Sequence, residues 1–303
     1  MSLMKGSVFM KKYVLITDSC IDLPLEIVER YEIVVLPLSV NINGKEYKNY
    51  LDEREIKFKK FYDMLREKAK TSTSMATPND FIETFEKYVE QGYDILSISF
   101  SSNLSGTYNS SLIAKAELEE KYPDNKIITI DSLCASMGQG LLLTYAGKLR
   151  EEGKSIDEVA AWVEENKLNI CHLFTVGDLN HLRRGGRLSY SKALIAQVLR
   201  IKPVLHVNKE GKLVQVGIAR GRQSSIKSLI DRLKKTIQNP EEQIIYISHG
   251  DCLEEVEKIK EKIKNELNPK EIVINYIGPV IGSHSGLDTI AIFYLGNDRF
   301  LNY

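Results

Sequence analysis

The first half of the chain alternates short apolar runs with amphipathic stretches, and each run ends in a loop rich in hydroxyls or glycine. Few folds accept that order. Residues 12–18 (KYVLITD) read as a buried strand ending in Asp18. Asp22 is expected to cap the next helix, with Pro24 and Glu26 in its first turn. Residues 33–40 read as a second strand, and Asn43-Gly44 is a strong hairpin signal. Residues 55–70 place Ile56, Phe58, Phe61, Tyr62 and Leu65 among Lys and Glu, the pattern of an amphipathic helix. A hydroxyl-rich loop at 71–76 leads to Thr77-Pro78-Asn79-Asp80, a cap that opens a helix to Gln91, with Gly92 as its stop. Strands follow at 93–100 and 126–131. The loops SSNLSGT and SLCASMGQG lead from them into helices ending near Lys121 and covering 139–151.

Strand–loop–helix units repeated in this way predict a parallel sheet with helices on its faces. Ligands bind beyond the carboxyl ends of such strands. The loops after 12–18, 93–100 and 126–131 should therefore crowd one edge, with Asp18, Ser19, Ser101, Ser102, Ser105, Asp131 and Ser132 on them. Helix 155–167 reads as a bridge, after which the grammar changes. Strands are expected at 169–176, 201–207, 212–220, 243–249, 271–277 and 288–296, with a hairpin turn at Asn208–Gly211 and helices at 189–199, 223–238 and 252–267. The expected class is α/β in two domains. Residues 4–165 form a Rossmann-like parallel-sheet domain, and residues 166–303 an α+β domain with a mixed or antiparallel sheet.

Length and charge fit this reading. A chain of 303 residues suits two domains of ordinary size. Lys plus Arg and Asp plus Glu are each 41, so no basic excess points to nucleic acid. No apolar run approaches the ~18 residues that span a bilayer. The segment MSLMKGSVFM does not read as a secretory signal. Met4 reads as an alternative start, and residues 1–3 are set aside. Cys20, Cys134, Cys171 and Cys252 lie far apart without a CxxC, so free thiols in a reducing cytoplasm are expected.

Hydroxyls ahead of helices are most often caps, and Thr77 is read so. Ser105-Gly106-Thr107 differs, because it sits at a strand's carboxyl end where glycine lets backbone approach a ligand. A helix N-terminus there favours a carboxylate or phosphate. A serine nucleophile is the rival, but NLSGT is not the GxSxG elbow. No P-loop and no GxGxxG occurs. The histidines 172, 181, 206, 249 and 284 form no HExxH, so no metal is expected. His172 and His206 lie in apolar strands and read as core. His284, in the glycine-rich loop GPVIGSHSG, reads either as a site residue or as a structural hydrogen-bonding group. HLRRGGRLS at 181–189 reads either as a solvated turn or as a basic hook for an acidic ligand or partner, and Arg220 and Arg222 form a second small cluster.

Taken together, TDSCIDLP, KTSTSMATPNDF, ISFSSNLSGTYNSS, IDSLCASMGQG, LRRGGRLS and GPVIGSHSG resemble the DegV family over nearly the whole chain. One departure is TSMATP where the family commonly has TSQPSP, preceded by an extra Thr71-Ser72, which leaves Thr71 and Thr73 as competing ligands. The resemblance implies a protein that holds one long-chain fatty acid in a tunnel between its domains. It implies no catalysis by this chain and no further cofactor. A separate ATP-dependent fatty-acid kinase would phosphorylate the acyl carboxyl. The carboxyl ligands it implies are Thr73 and Ser105, with His284, Arg183 and Ser19 nearby. Readings outside the resemblance are a hydrolase or acyltransferase using Ser105, and a sensor of another small carboxylate.

Overall fold

The computed structural model describes residues 11–188, 201–296 and 299. Strands β1 (Tyr13–Asp18), β2 (Ile33–Leu36), β6 (Asp94–Ser99) and β7 (Ile127–Asp131) form a parallel sheet in the order β2-β1-β6-β7. Every residue of β1 and β6 is buried, as expected for central strands covered on both faces. Helices α1 (Leu25–Arg30), α3 (Pro78–Val89), α4 (Thr107–Lys121), α5 (Met137–Glu151) and α6 (Ile156–Asn166) accompany this sheet. Thr77 and Asp80 form the expected reciprocal cap on α3, and Ser155 and Glu158 form another on α6.

A small antiparallel sheet of β3 (Ser39–Ile42), β4 (Lys45–Lys48) and β5 (Thr71–Ser74), in the order β4-β3-β5, sits beside α2 (Phe58–Arg66). The second half builds six strands: β8 (Ile170–Thr175), β9 (Ile201–Val207), β10 (Leu213–Arg220), β11 (Ile244–His249), β12 (Glu271–Tyr276) and β13 (Ile290–Leu295). Their order is β10-β9-β8-β13-β11-β12, and only the β11–β12 pairing is parallel. Helices α8 (Arg222–Thr236) and α9 (Leu253–Leu267) pack Leu229, Leu233, Val256 and Ile263 against Ile245, Ile247, Ile290 and Ile292. The alternate residues Tyr246, Ala291, Phe293 and Phe174 join the core of the first half instead. The period of two thus turns one face of this sheet to its own helices and the other to the parallel-sheet half. Two short helices, α7 (Leu179–Arg184) and α10 (Pro279–Ser285), lie over that inner face.

Five local readings change. The stretch 71–76 is not a loop, since β5 pairs with β3 and sets Thr73 opposite Val40. A hairpin alone is marginal in water, and β5 supplies the third strand. Residues 33–40 divide into β2 and β3 around Pro37, which has no N–H for a ladder. The helix expected over 55–70 is limited to α2, because Lys68 turns to φ 63°. Asp22 does not cap α1: it adopts φ 49°, the cap position falls to Pro24, and the carboxyl turns inward. The glycine-rich loop around His284 is α10, started by Pro279 and ended by Gly286 at φ 78°. The helix expected at 189–199 lies outside the described residues. The hairpin at Asn208–Gly211 forms as expected.

The close packing of α5 on the turn after β1 is testable. A Cβ at Gly140 would lie 2.6 Å from Leu23 Cδ2 and 2.8 Å from the Ile21 carbonyl oxygen, and backbone cannot yield. Gly140→Ala is expected to destabilise by roughly 1–3 kcal/mol despite alanine's better helix propensity. A lowered midpoint in denaturant unfolding is the readout, and an unchanged or raised one contradicts the packing.

Candidate ligand-binding site

Loops of the parallel sheet, the small sheet and α10 close over the inner face of the six-stranded sheet around a cavity of about 520 Å³, within the range of small-molecule sites. Cys20, Phe100, Leu104 and Ser136 come from the loops after β1, β6 and β7, so those loops do share one edge. The opposite wall is Phe174, Val207, Ala291 and Phe293. Most of the lining is apolar.

One group of polar residues gathers where the cavity meets the surface. Thr73 Oγ1 and His284 Nε2 share a hydrogen bond of 2.8 Å. Gly185 lies against the same imidazole, where a Cβ would stand 2.2 Å from Nδ1. Ser105 Oγ shares a 2.9 Å bond with Thr107 Oγ1 and accepts from Thr107 N–H at 3.3 Å, at the start of α4. Arg187 Nε donates to the Leu104 carbonyl at 3.1 Å and Nη1 to the Gly185 carbonyl at 2.5 Å. Among the described residues no carboxylate pairs with this guanidinium. Burial and the Arg187 charge hold His284 down to about 4, so its ring is neutral at pH 7. Thr73, Ser105, Arg187 and His284 are each half-buried and line the cavity, so this end meets the surface. Thr71 begins β5 and does not line the cavity.

Two residues from the sequence reading stand elsewhere. Ser19 is fully buried, and its Oγ accepts from Leu38 N–H at 3.0 Å and from Asn49 Nδ2 at 3.2 Å, so it braces the turn behind the wall. Arg183 is exposed on α7 beside a separate recess with Asp178 and Lys202. The cavity takes Arg187 from the same motif instead. The signal was the arginine just beyond the glycine pair. Gly185 ends α7 and Gly186 turns at φ 66°, which redirects the chain toward Leu104. Asp18 and Asp131 organise the loops rather than face a ligand. Asp18 accepts from the Cys20 and Phe100 N–H groups, and Asp131 from those of Ser102 and Leu133.

A second polar group, built on the Asp22 that the sequence analysis read as a helix cap, lies inside. Asp22 Oδ2 accepts from Ser136 Oγ at 2.6 Å and Oδ1 from Gly278 N–H at 2.9 Å, with Ser248 Oγ 3.0 Å from Ser136 Oγ. Burial pushes this carboxyl up to about 7, against the pull of its hydrogen bonds. His172 Nδ1 reaches the Ile170 carbonyl and Nε2 accepts from Ala135 N–H, which makes it the core histidine expected. Burial also raises the Cys20 and Cys134 thiols, away from reactive thiolate. No group of three or more His, Cys, Asp or Glu among the described residues could hold a metal ion. No described helix is long and apolar enough to cross a membrane.

A family model described as "Uncharacterised protein, DegV family" matches residues 12–297. A DegV domain-containing protein of Clostridium perfringens is 50% identical over 290 residues, covering 96% of this chain and 99% of its own. The chain belongs to the DegV family. A DegV family protein from Thermus thermophilus, described as binding fatty acid, superposes with a TM-score of 0.84 at 30% identity, over 93% of this chain and 98% of its own. A stearic acid-binding protein from Eubacterium ventriosum superposes with a TM-score of 0.83 at 26% identity, over 93% and 98%. The DegV fold therefore extends over both halves of the chain.

The Asp22 carboxyl has a pH signature. Its folded pKa of about 7 lies above the unfolded value near 3.9, so the folded state retains a proton that the unfolded chain loses. The stability contributed by this group is present below about pH 4 and is lost as pH rises through about 7. Asp22→Asn keeps the size and tolerates the positive φ. Relative to the parent, the variant is expected to gain stability as pH rises from about 4 to 7 and then level off. A pH-independent difference in unfolding free energy contradicts the assignment.

Proposed function

We propose that this protein binds one long-chain fatty acid, with the hydrocarbon in the cavity and the carboxylate at Thr73, Ser105, His284 and Arg187. The observation that carries the reading is the cavity's asymmetry. A mainly apolar interior ends, at the surface, in hydroxyls and a guanidinium that has no carboxylate partner among the described residues. Each buried methylene contributes about 0.8 kcal/mol, so a long chain has ample driving force. A buried carboxylate needs charge and hydrogen bonds. Arg187 supplies the charge, and Thr73, Ser105 and the first turn of α4 supply donors. The relatives described as fatty-acid-binding share this fold. The chain is read as two domains, 4–165 and 166–303, with the lipid between them.

The half-buried head site leaves one side of the carboxylate toward solvent. That placement suits presentation to a separate ATP-dependent kinase, which would transfer a phosphoryl group to the acyl oxygen. The hydrolase reading is weaker, because His284 engages Thr73 while Ser105 bonds Thr107, so Ser105 lacks a base.

Native mass spectrometry of the purified protein is expected to show one added fatty acid. Ser105→Ala and Thr73→Ala should each weaken acyl binding about tenfold, and Arg187→Gln by at least as much. Unchanged affinity in the Ser105 and Thr73 double variant would overturn the site. The kinase step is read by hydroxylamine trapping of acyl phosphate. Loaded protein with ATP alone should yield none, and adding an extract of the source organism should yield acyl hydroxamate. Product with ATP alone would make this chain the enzyme, and no product in either case removes the kinase step.

A further inference from the structure

Oxidants act first on sulfur, and the fold exposes its sulfurs unequally. Cys20, Cys134 and Cys171 are buried. Burial raises the thiols of Cys20, Cys134 and Cys252, which withholds the reactive thiolate. Met137 is fully buried, and Met64 packs half-buried against the core. Met75 is 46% exposed, more than any other sulfur-bearing side chain among the described residues. A thioether reacts without ionising, so access decides which methionine is attacked.

Met75 also stands at the head site. It follows β5, two residues beyond Thr73, and lines the cavity together with Thr73 and Ser105. Its Sδ rests on Gly106, where a Cβ would stand 2.5 Å from the sulfur. Gly106 separates Ser105 from Thr107, whose hydroxyls share a hydrogen bond at the start of α4. Only a residue without a side chain leaves room for the thioether on this turn. One side chain therefore meets solvent and also touches the turn that carries the donors assigned to the ligand carboxylate. A thioether sulfur is a weak acceptor, so in its reduced form it leaves those donors free.

We propose that Met75 is an oxidation site through which a hydroperoxide lowers acyl binding. The inference rests on the fatty-acid reading above. A sulfur lone pair attacks the outer peroxide oxygen, and the S–O bond forms as the O–O bond breaks. The hydroxyl proton passes to the departing oxygen, which leaves as an alcohol, or as water from hydrogen peroxide. Sulfur gives up two electrons and the peroxide takes them. The product is a sulfoxide, a polar group where an apolar one stood. Its oxygen accepts hydrogen bonds and donates none. Placed on Gly106, it competes for the Ser105 hydroxyl and for the N–H groups that open α4. Its partial negative charge also faces the ligand carboxylate. Enzymic reduction of the sulfoxide restores the thioether, so the change is reversible.

The test treats the delipidated protein with hydrogen peroxide, follows each methionine by peptide mass spectrometry and measures affinity for a long-chain fatty acid. Met75 should be oxidised before Met64 and Met137. Affinity should fall about tenfold as Met75 converts. Methionine sulfoxide reductase should restore both the mass and the affinity. The Met75→Leu protein carries no sulfur at this place and should keep its own affinity through the same treatment, which separates Met75 from every other sulfur in the chain. Met75→Gln takes its place should the leucine variant fail to fold. Oxidation of Met64 or Met137 ahead of Met75 overturns the proposal. So does full conversion of Met75 with unchanged affinity, or an equal loss in the variant without Met75. An untreated parent that binds no fatty acid fails the fatty-acid reading, and the proposed loss of binding with it. That result is seen before any peroxide is added.

Discussion

The buried carboxyl of Asp22 accepts hydrogen bonds from Ser136 and from Gly278, and its own carbonyl accepts one from Asn275. These partners begin α5, begin α10 and belong to β12. One residue at the end of the first strand therefore holds segments more than 250 positions away in sequence. The low dielectric of the interior strengthens such bonds and makes any unpaired member costly. The placement of α10 depends on this junction, and through α10 so does the approach of His284 to Thr73.

The cavity that results has chemically unlike ends. At the surface, a cation with no carboxylate partner among the described residues and a neutral imidazole stand among hydroxyls. The carboxylate of the proposed ligand would meet one positive charge and several donors there, while the imidazole, held neutral by burial and Arg187, adds no second charge. Among the apolar walls inside, Ser136 and Ser248 also line the cavity, tied to each other and to Asp22. Ser136, Ser248 and Asp22 are bonded to one another, and none of them is a cation that could compete with the head. On the proposed fatty-acid reading, that difference would orient a bound chain with its carboxylate outward, where a second protein could reach it.

Much of this was legible in the sequence. The alternation of apolar runs and amphipathic stretches marked the parallel sheet, because buried central strands and half-buried helices impose different periods on hydrophobicity. Asn43-Gly44, Thr77–Asp80 and Asn208–Gly211 announced their turns and caps through local backbone chemistry. The strand-end loops bearing Cys20, Ser105 and Ser136 met at one edge, as parallel topology requires. Thr73, Ser105 and His284 were named from the resemblance, and the fold brings them together in one wall. The misreadings were of another kind. The stretch TSTS looked like a loop because its strand character depends on pairing with β3. Asp22 looked like a cap because its true partners are remote. Arg183 stood in for Arg187 because only the bend at Gly185 and Gly186 reveals which arginine turns inward.

The sequence by itself determined the elements, their order and the kind of edge where a ligand binds, since those follow from periodicity, turn chemistry and the handedness of parallel connections. Tertiary structure alone decided which hydroxyls face the cavity and which arginine of the 181–189 segment lines it. Those properties belong to contacts between segments distant along the chain. They are set by strand register and by a few buried hydrogen bonds, and no local pattern of residues encodes either.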